Sequence, residues 1–215
     1  MNQIIIFDFD GTLADTLDAV VRITNRLSGE FGYLPTNPET LSQIQNLSSW
    51  QIIQQSGISL FKLPFLLKRV ISELNHDLQL IHLFPTIPEI IQKLQKDNYT
   101  LYIITSNSKI NVITILSRYN LVNSFKNVYS GISLFGKHKI INQLLNQENI
   151  EPQQVIYIGD ETRDINAAKQ AKIKSIAVSW GYNSAEILLQ HHPDALIAHP
   201  SELIAVIEQI KNPIG

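Results

Sequence analysis

Short apolar runs separated by amphipathic stretches dominate the chain. Ile4-Ile5-Ile6-Phe7, Leu101-Tyr102-Ile103-Ile104 and Val155-Ile156-Tyr157-Ile158 are continuous runs rich in β-branched residues. That is the pattern of strands buried on both faces. Val128-Tyr129, Ser175 to Val178 and Ala195 to Ala198 predict three more strands. Between them, Val20, Ile23, Leu27 and Phe31 recur at helical spacing and predict an amphipathic helix over 17–31. A second stripe, Ile87, Ile90, Ile91 and Leu94, ends near Asp97-Asn98. Ser108 has the chemistry of an N-cap for a helix running to Tyr119. Ile140, Ile141, Leu144 and Leu145 mark another helix, and further helices are predicted over 164–171 and 201–210.

From residue 85 onward strands and helices alternate, which predicts a doubly wound, parallel, Rossmann-like sheet. The stretch after the first strand lacks that alternation. Gly32, Pro35 and Pro38 break it, and 41–80 reads as several short helices interrupted at Gly57 and Pro64, with no strand. The expected organisation is an α/β core of residues 1–16 and 84–215, with an all-α insertion over 17–83.

Composition narrows the class. The chain has 215 residues, 17 basic and 19 acidic, for a net charge of −2. Only 17% are charged, against about 25% in ordinary domains, and Asn and Gln take up much of the polar surface. So small a net charge gives no general field for nucleic acid or an anionic membrane. Without cysteine, a disulfide framework, a thiolate metal site and a thiol nucleophile are excluded. The start, Met1 to Ile6, lacks the basic region of a signal peptide, and no stretch approaches the roughly 18 apolar residues of a membrane span. A cytoplasmic protein is the expectation. Its 33 isoleucines favour buried strands.

Ligands of open parallel sheets sit outside the carboxyl ends of the strands, so the residues after each strand are the candidate chemistry. These are Asp8-Phe9-Asp10-Gly11-Thr12, Thr105-Ser106-Asn107 and Gly159-Asp160-Glu161-Thr162-Arg163-Asp164. They bring at least four carboxylates to one crevice. Two unit charges 4 Å apart at an effective dielectric of 20 repel by about 4 kcal/mol. Such a cluster needs a divalent cation, and an all-oxygen ligand set suits Mg²⁺.

Asp8-x-Asp10-Gly11-Thr12, with Asp15-Thr16 beyond it, resembles the first motif of the haloacid dehalogenase superfamily of phosphohydrolases. Thr105 closes an apolar strand as the second motif's Ser/Thr does, Gly136-Lys137 offers the lysine of the third, and Gly159-Asp160-x-x-x-Asp164 resembles the acidic fourth. The helical insertion falls where this superfamily places its C1 cap, and the layout looks like the phosphoglycolate phosphatase-like branch.

The resemblance implies Asp8 as nucleophile, forming an aspartyl-phosphate, and Asp10 as the acid and base that serves leaving group and water. It implies Mg²⁺ held by Asp8, the Asp10 backbone carbonyl and Asp160, with Asp164 completing or supporting the shell. The Gly11-Thr12 turn, Thr105, Ser106, Asn107 and Lys137 would bind the phosphoryl group. Lys139 competes with Lys137 for the lysine role, since the chain reads Lys137-His138-Lys139 where the family often has Lys-Pro. The implied partner is a small phosphorylated metabolite, and the oligomeric state stays open.

Plainer readings stand beside these. Asp15-Thr16 can cap the helix starting at Leu17, and in the family the same segment is also a hinge. Arg22, Arg26, Lys62, Lys68 and Arg69 could meet an anionic substrate but read as solvated helix faces. Trp50 and Trp180 read as packing residues, and the histidines form no metal spacing. A phosphomutase shares every motif. A C–halogen hydrolase is disfavoured by Asp10, whose acid that chemistry does not need. A non-enzymatic phospho-receiver is disfavoured by the chain's length and its insertion.

Overall fold

The computed structural model describes residues 3–131 and 136–211. The first two residues of the apolar start therefore lie outside the described chain, as does part of the loop before Gly136. Eight strands and ten α-helices are assigned among the described residues. In chain order they begin with β1 (Ile4–Phe7), β2 (Ala14–Asp15), α1 (Leu17–Phe31), α2 (Pro38–Gln45), α3 (Ser49–Ser56), α4 (Leu63–Asp77) and β3 (His82–Leu83). The middle holds α5 (Ile87–Lys96), β4 (Thr100–Ile104), α6 (Lys109–Ser117), β5 (Asn127–Tyr129) and α7 (Lys137–Glu148). The remainder is β6 (Val155–Gly159), α8 (Thr162–Gln170), β7 (Lys174–Val178), α9 (Ala185–Gln190), β8 (Ala195–Ile197) and α10 (Leu203–Lys211).

Six strands form one parallel sheet in the order β5-β4-β1-β6-β7-β8. The doubly wound α/β expectation is met. β1 is central, with Ile5 opposite Leu101 on one side and Ile156 on the other. Alternation along the strands sorts their side chains into two cores. Ile5, Phe7, Leu101, Ile103, Ile156 and Ile158 face one apolar cluster, which α5 and α10 cover. Ile4, Ile6, Tyr102, Ile104, Val155 and Tyr157 face the other, covered by Ile141, Leu144 and Leu145 of α7 and by Ala167 and Ala168 of α8.

Between β2 and β3 the chain is built of helices α1 to α4 joined by short connections, with no strand among these described residues, as expected. Pro64 lies in the first turn of α4 and so starts that helix, where proline costs no hydrogen bond. Gly57 closes α3 in a left-handed conformation. Ala19, Ile23, Leu27 and Phe31 of α1 meet Leu66, Val70 and Leu74 of α4, and this face joins the same apolar cluster as the sheet. The helical stretch thus shares its core with the sheet face it adjoins. Arg22, Arg26 and Arg69 make surface ion pairs with Asp77 and Glu73, which fits solvated helix faces.

Two local expectations differ from the structure. The pairing of β2 with β3, Ala14 with Leu83 and Asp15 with His82, ties together the two ends of the helical stretch. Two-residue strands carry no periodicity, so the sequence gives no sign of them. Thr16 occupies the cap position of α1, but its side chain makes no capping bond. Its hydroxyl pairs with the Tyr182 hydroxyl at 2.9 Å instead. Ser108 does cap α6, accepting from the Asn111 N–H.

Candidate active site

Because every strand of the large sheet is parallel, the ends of β1, β4, β6 and β7 open on one edge, and each hands the chain to a polar loop. Asp8 follows β1 and is buried. Its Oδ1 accepts the Phe9 N–H at 2.7 Å. Its Oδ2 accepts no aligned hydrogen bond and lies 2.5 Å from Lys137 Nζ. Lys137 Nζ also lies 2.6 Å from Asp164 Oδ1. The ammonium at the start of α7 therefore bridges the loops after β1 and β6. Lys139, two residues on, is exposed, so Lys137 is the lysine brought to the carboxylates.

Asp8, Asp160 and Asp164 each offer a carboxylate oxygen, and these oxygens lie within 4.8 Å of one another. Three buried carboxylates form a set able to hold a metal ion. Asp160 is held by the Thr12 hydroxyl on Oδ1 (2.6 Å) and by the Tyr182 N–H on Oδ2 (2.8 Å). Asp164 Oδ2 accepts the Glu161 N–H at 3.1 Å, closing the first turn of α8. The loops are packed so tightly here that three glycines leave no room for a side chain, and a Cβ on Gly159 would strike Asp164. A Cβ on Gly11, whose φ is +76°, would run into the Asp160 carboxylate and the Tyr182 ring. One on Gly181 would strike the same carboxylate and the Gly11 carbonyl.

The Asp10 carboxylate points to the other side of the crevice. Asn107 Nδ2 donates to its Oδ1 at 2.9 Å, and Thr105 Oγ1 stands 3.5 Å from its Oδ2. Asn107 also donates its backbone N–H to Thr105 Oγ1 at 3.0 Å. Ser106 Oγ accepts from Arg163 at 3.0 Å.

The electrostatics separate the carboxyls. Burial, and after it the charge on Asp8, pushes Asp10 up to about 6. Burial also raises Asp160 well above the carboxylate range, helped by Glu161, Asp8 and Asp164. Asp164 is raised by burial while Lys137 pulls it back. Burial alone would lower the Lys137 ammonium, but Asp164 and Asp8 together outweigh it and hold the lysine above its ordinary value. Asp10 is thus a carboxyl able to exchange a proton near neutral pH, while across the crevice Lys137 is favoured in its charged form.

The structure brings Asp8, Asp160, Asp164 and Lys137 into direct or near contact, and Asp10 with Thr105 and Asn107 along a second wall. The Thr12 and Ser106 hydroxyls are engaged with Asp160 and Arg163. Several residues here carry no local signal in the sequence. Arg163 is nearly buried, paired with Glu161 and bonded to Ser106. Tyr182 and Asn183 reach the site from beyond β7. Trp180 packs edge-on to Phe84 and donates to the Thr12 carbonyl, as a packing residue would. Trp50 corrects the same expectation: it is 47% exposed. It helps line a groove of about 170 Å³ with Ser48, Ser49, Lys137, His138 and Arg163, between α3 and the starts of α7 and α8.

An acidic crevice at the carboxyl edge of a parallel sheet, with a lysine against its carboxylates, fits a hydrolase of α/β architecture. The family model for haloacid dehalogenase-like hydrolases matches residues 5–178, and the chain belongs to that family. It is 37% identical over 208 residues to a phosphoglycolate phosphatase of Synechococcus elongatus, covering 97% of this chain and 98% of the relative. It is 28% identical to a phosphoglycolate phosphatase of Aliivibrio fischeri over 97% and 98% of the two chains. A haloacid dehalogenase-like hydrolase from Streptococcus pneumoniae shares the fold, with a TM-score of 0.77 at 23% identity over 96% and 98% of the chains. The chain is a phosphatase, a phosphoric monoester hydrolase.

Proposed function

We propose that the chain is a Mg²⁺-dependent, cytoplasmic phosphatase of a small phosphorylated metabolite, with phosphoglycolate as the leading substrate, working through an aspartyl-phosphate on Asp8. The observation that carries this reading is the convergence of Asp8, Asp160 and Asp164 within 4.8 Å of one another, with Lys137 held against two of them. The substrate rests on the full-length likeness to the Synechococcus phosphatase.

In this reading Asp8 attacks the phosphorus and the ester oxygen leaves with a proton from Asp10. The value of about 6 for Asp10 suits a group that donates that proton and later takes one from water. Asn107 and Thr105 hold the Asp10 carboxyl toward the crevice. Lys137 pairs with Asp8 and meets the phosphoryl oxygens, which the Gly11-Thr12 turn, Thr105, Ser106 and Asn107 help to bind. The oxygen-only donors of Asp8, Asp160 and the Asp10 backbone carbonyl fit Mg²⁺, with Asp164 supporting the shell. Bound there, the cation would offset the charge of a phosphate approaching a carboxylate. Residues 17–83 would act as the cap over a core of 1–16 and 84–215, excluding water while the leaving group is held.

The test is phosphate release from a panel of phosphorylated metabolites with Mg²⁺ present, comparing the wild type with Asp8→Asn. The expected result is Mg²⁺-dependent release, highest for phosphoglycolate, and its loss in the variant. Equal, slow release by both proteins overturns the reading.

A further inference from the structure

Four consecutive residues beyond β7, Gly181 to Ser184, contact the acidic loops and the helical stretch at once. Tyr182 gives its N–H to Asp160, and its hydroxyl pairs with that of Thr16 at the foot of α1. Asn183 is buried and every polar group on its side chain is used. Its Oδ1 accepts the Thr162 N–H at 3.0 Å, and its backbone N–H reaches the Asp160 carbonyl at 3.3 Å. Its Nδ2 donates to two carbonyls of the helical stretch, Gln45 at 3.2 Å and Leu47 at 3.0 Å. Ser184 adds its N–H to the Gln45 carbonyl at 2.9 Å and pairs its hydroxyl with Asn46 Oδ1 at 2.5 Å. Ser49 completes the contact by donating to Glu161 Oε1 at 3.2 Å.

Gln45 is the last residue of α2, and the final carbonyls of a helix have no partner within it. Here the partner comes from a residue 138 positions away. The same amide that closes α2 is bonded to the start of α8, one residue from Glu161 and two from Asp160.

We propose that Asn183 is a positioning residue, whose amide docks the 45–49 stretch against the Asp160 loop and so sets how the helices stand over the carboxylates. The kinetic consequence rests on the phosphatase reading above; the docking rests on the geometry alone. A displaced 45–49 stretch would leave Asp8 and Asp10 in place and loosen the wall around the substrate. The effect should therefore fall on KM.

Asn183→Asp separates the two ends of the side chain. It keeps an acceptor for Thr162 and turns an oxygen toward the Gln45 and Leu47 carbonyls. In hydrogen–deuterium exchange, residues 41–56 should exchange about tenfold faster than in the wild type, the loss expected for one to two hydrogen bonds, while β6 and β7 keep their protection. KM for 2-phosphoglycolate should rise by a similar factor, with kcat changed less than about threefold. Ser49→Ala should shift both measurements the same way by less, and it carries the comparison if Asn183→Asp does not fold. Unchanged exchange over 41–56, or faster exchange with KM unchanged, overturns the proposal. A wild type that releases no phosphate would overturn the phosphatase reading and the kinetic consequence with it, while exchange still decides the docking.

Discussion

Asn107 Nδ2 donates to Asp10 Oδ1 at 2.9 Å, and this bond opposes the burial that raises the Asp10 carboxyl. Replacing Asn107 with Leu should therefore move Asp10 further up, by about one pKa unit for a hydrogen bond to a charged group. The measurement is the pH dependence of the first turnover. Protonated Asp10 is lost as pH rises through about 6, so leaving-group release should decline above that pH in the wild type. The decline should start at higher pH in Asn107→Leu and be absent in Asp10→Asn.

Lys137 is buried between two buried carboxylates. Substituting Met leaves Asp8 and Asp164 facing each other with no cation between them, which costs about 3–5 kcal/mol. Urea denaturation without metal should show this loss. Lys139 is exposed, and Lys139→Gln should stay within about 0.5 kcal/mol of the wild type.

Asp10, Asp160 and Asp164 are all raised in the folded chain, first by burial. The folded protein keeps protons that the unfolded chain has released. Stability from these groups is therefore present at low pH and lost as pH climbs from about 4 through their folded pKa values. In metal-free buffer Tm should fall from pH 5 to pH 7. Millimolar Mg²⁺ should raise Tm more at pH 7 than at pH 5, because fewer of these carboxyls then hold a proton that a cation must displace. A metal-free Tm that climbs across this range would contradict the burial argument.

Gly181→Ala would drive a methyl group against the Asp160 carboxylate. In the proposed Mg²⁺ site, displacing a ligand through its neighbour typically costs 10–100-fold in metal affinity, so the Mg²⁺ concentration for half-maximal activity should rise at least about tenfold. Gly29 provides the contrast. It lies inside α1 with nothing within 4 Å of a Cβ, and Gly29→Ala should stabilise the protein by about 0.5–1 kcal/mol, read as a higher Tm.

The sheet and the acidic loops are legible in the sequence because each rests on a local pattern. Ile4 to Phe7 is a β-branched run with the pattern of a strand buried on both faces, and Asp8 ends it. Gly159-Asp160 ends β6 in the same way. Lys137 is legible by its place after Gly136, and burial separates it from Lys139. What the sequence does not carry is partnership at long range. Asn183 looks like a loop residue until Gln45, 138 positions away, lies against it. Thr16 reads equally as a cap, and only the fold turns its hydroxyl to Tyr182. Arg163 stands in full view between Glu161 and Asp164, yet its bond to Ser106 spans 57 residues.

The low charge of the chain finds a structural use at the contacts between the helices and the sheet. On one side Asn183 holds Gln45 and Leu47. On the other, Asn111 donates to the Ile71 carbonyl and to Asn107 Oδ1 and accepts from Asn75, and Asn107 in turn donates to Asp10. Amide side chains neither titrate nor gather counterions. The crevice can gain and lose several unit charges as protons, cation and phosphate come and go; the bonds from Asn183 to Gln45 and Leu47 carry no charge that changes with it, whereas Asn107 ties the other attachment to Asp10. On the Asn183 side the helices are held to the sheet by neutral amides and carbonyls, so neither acid nor salt acts directly on those bonds.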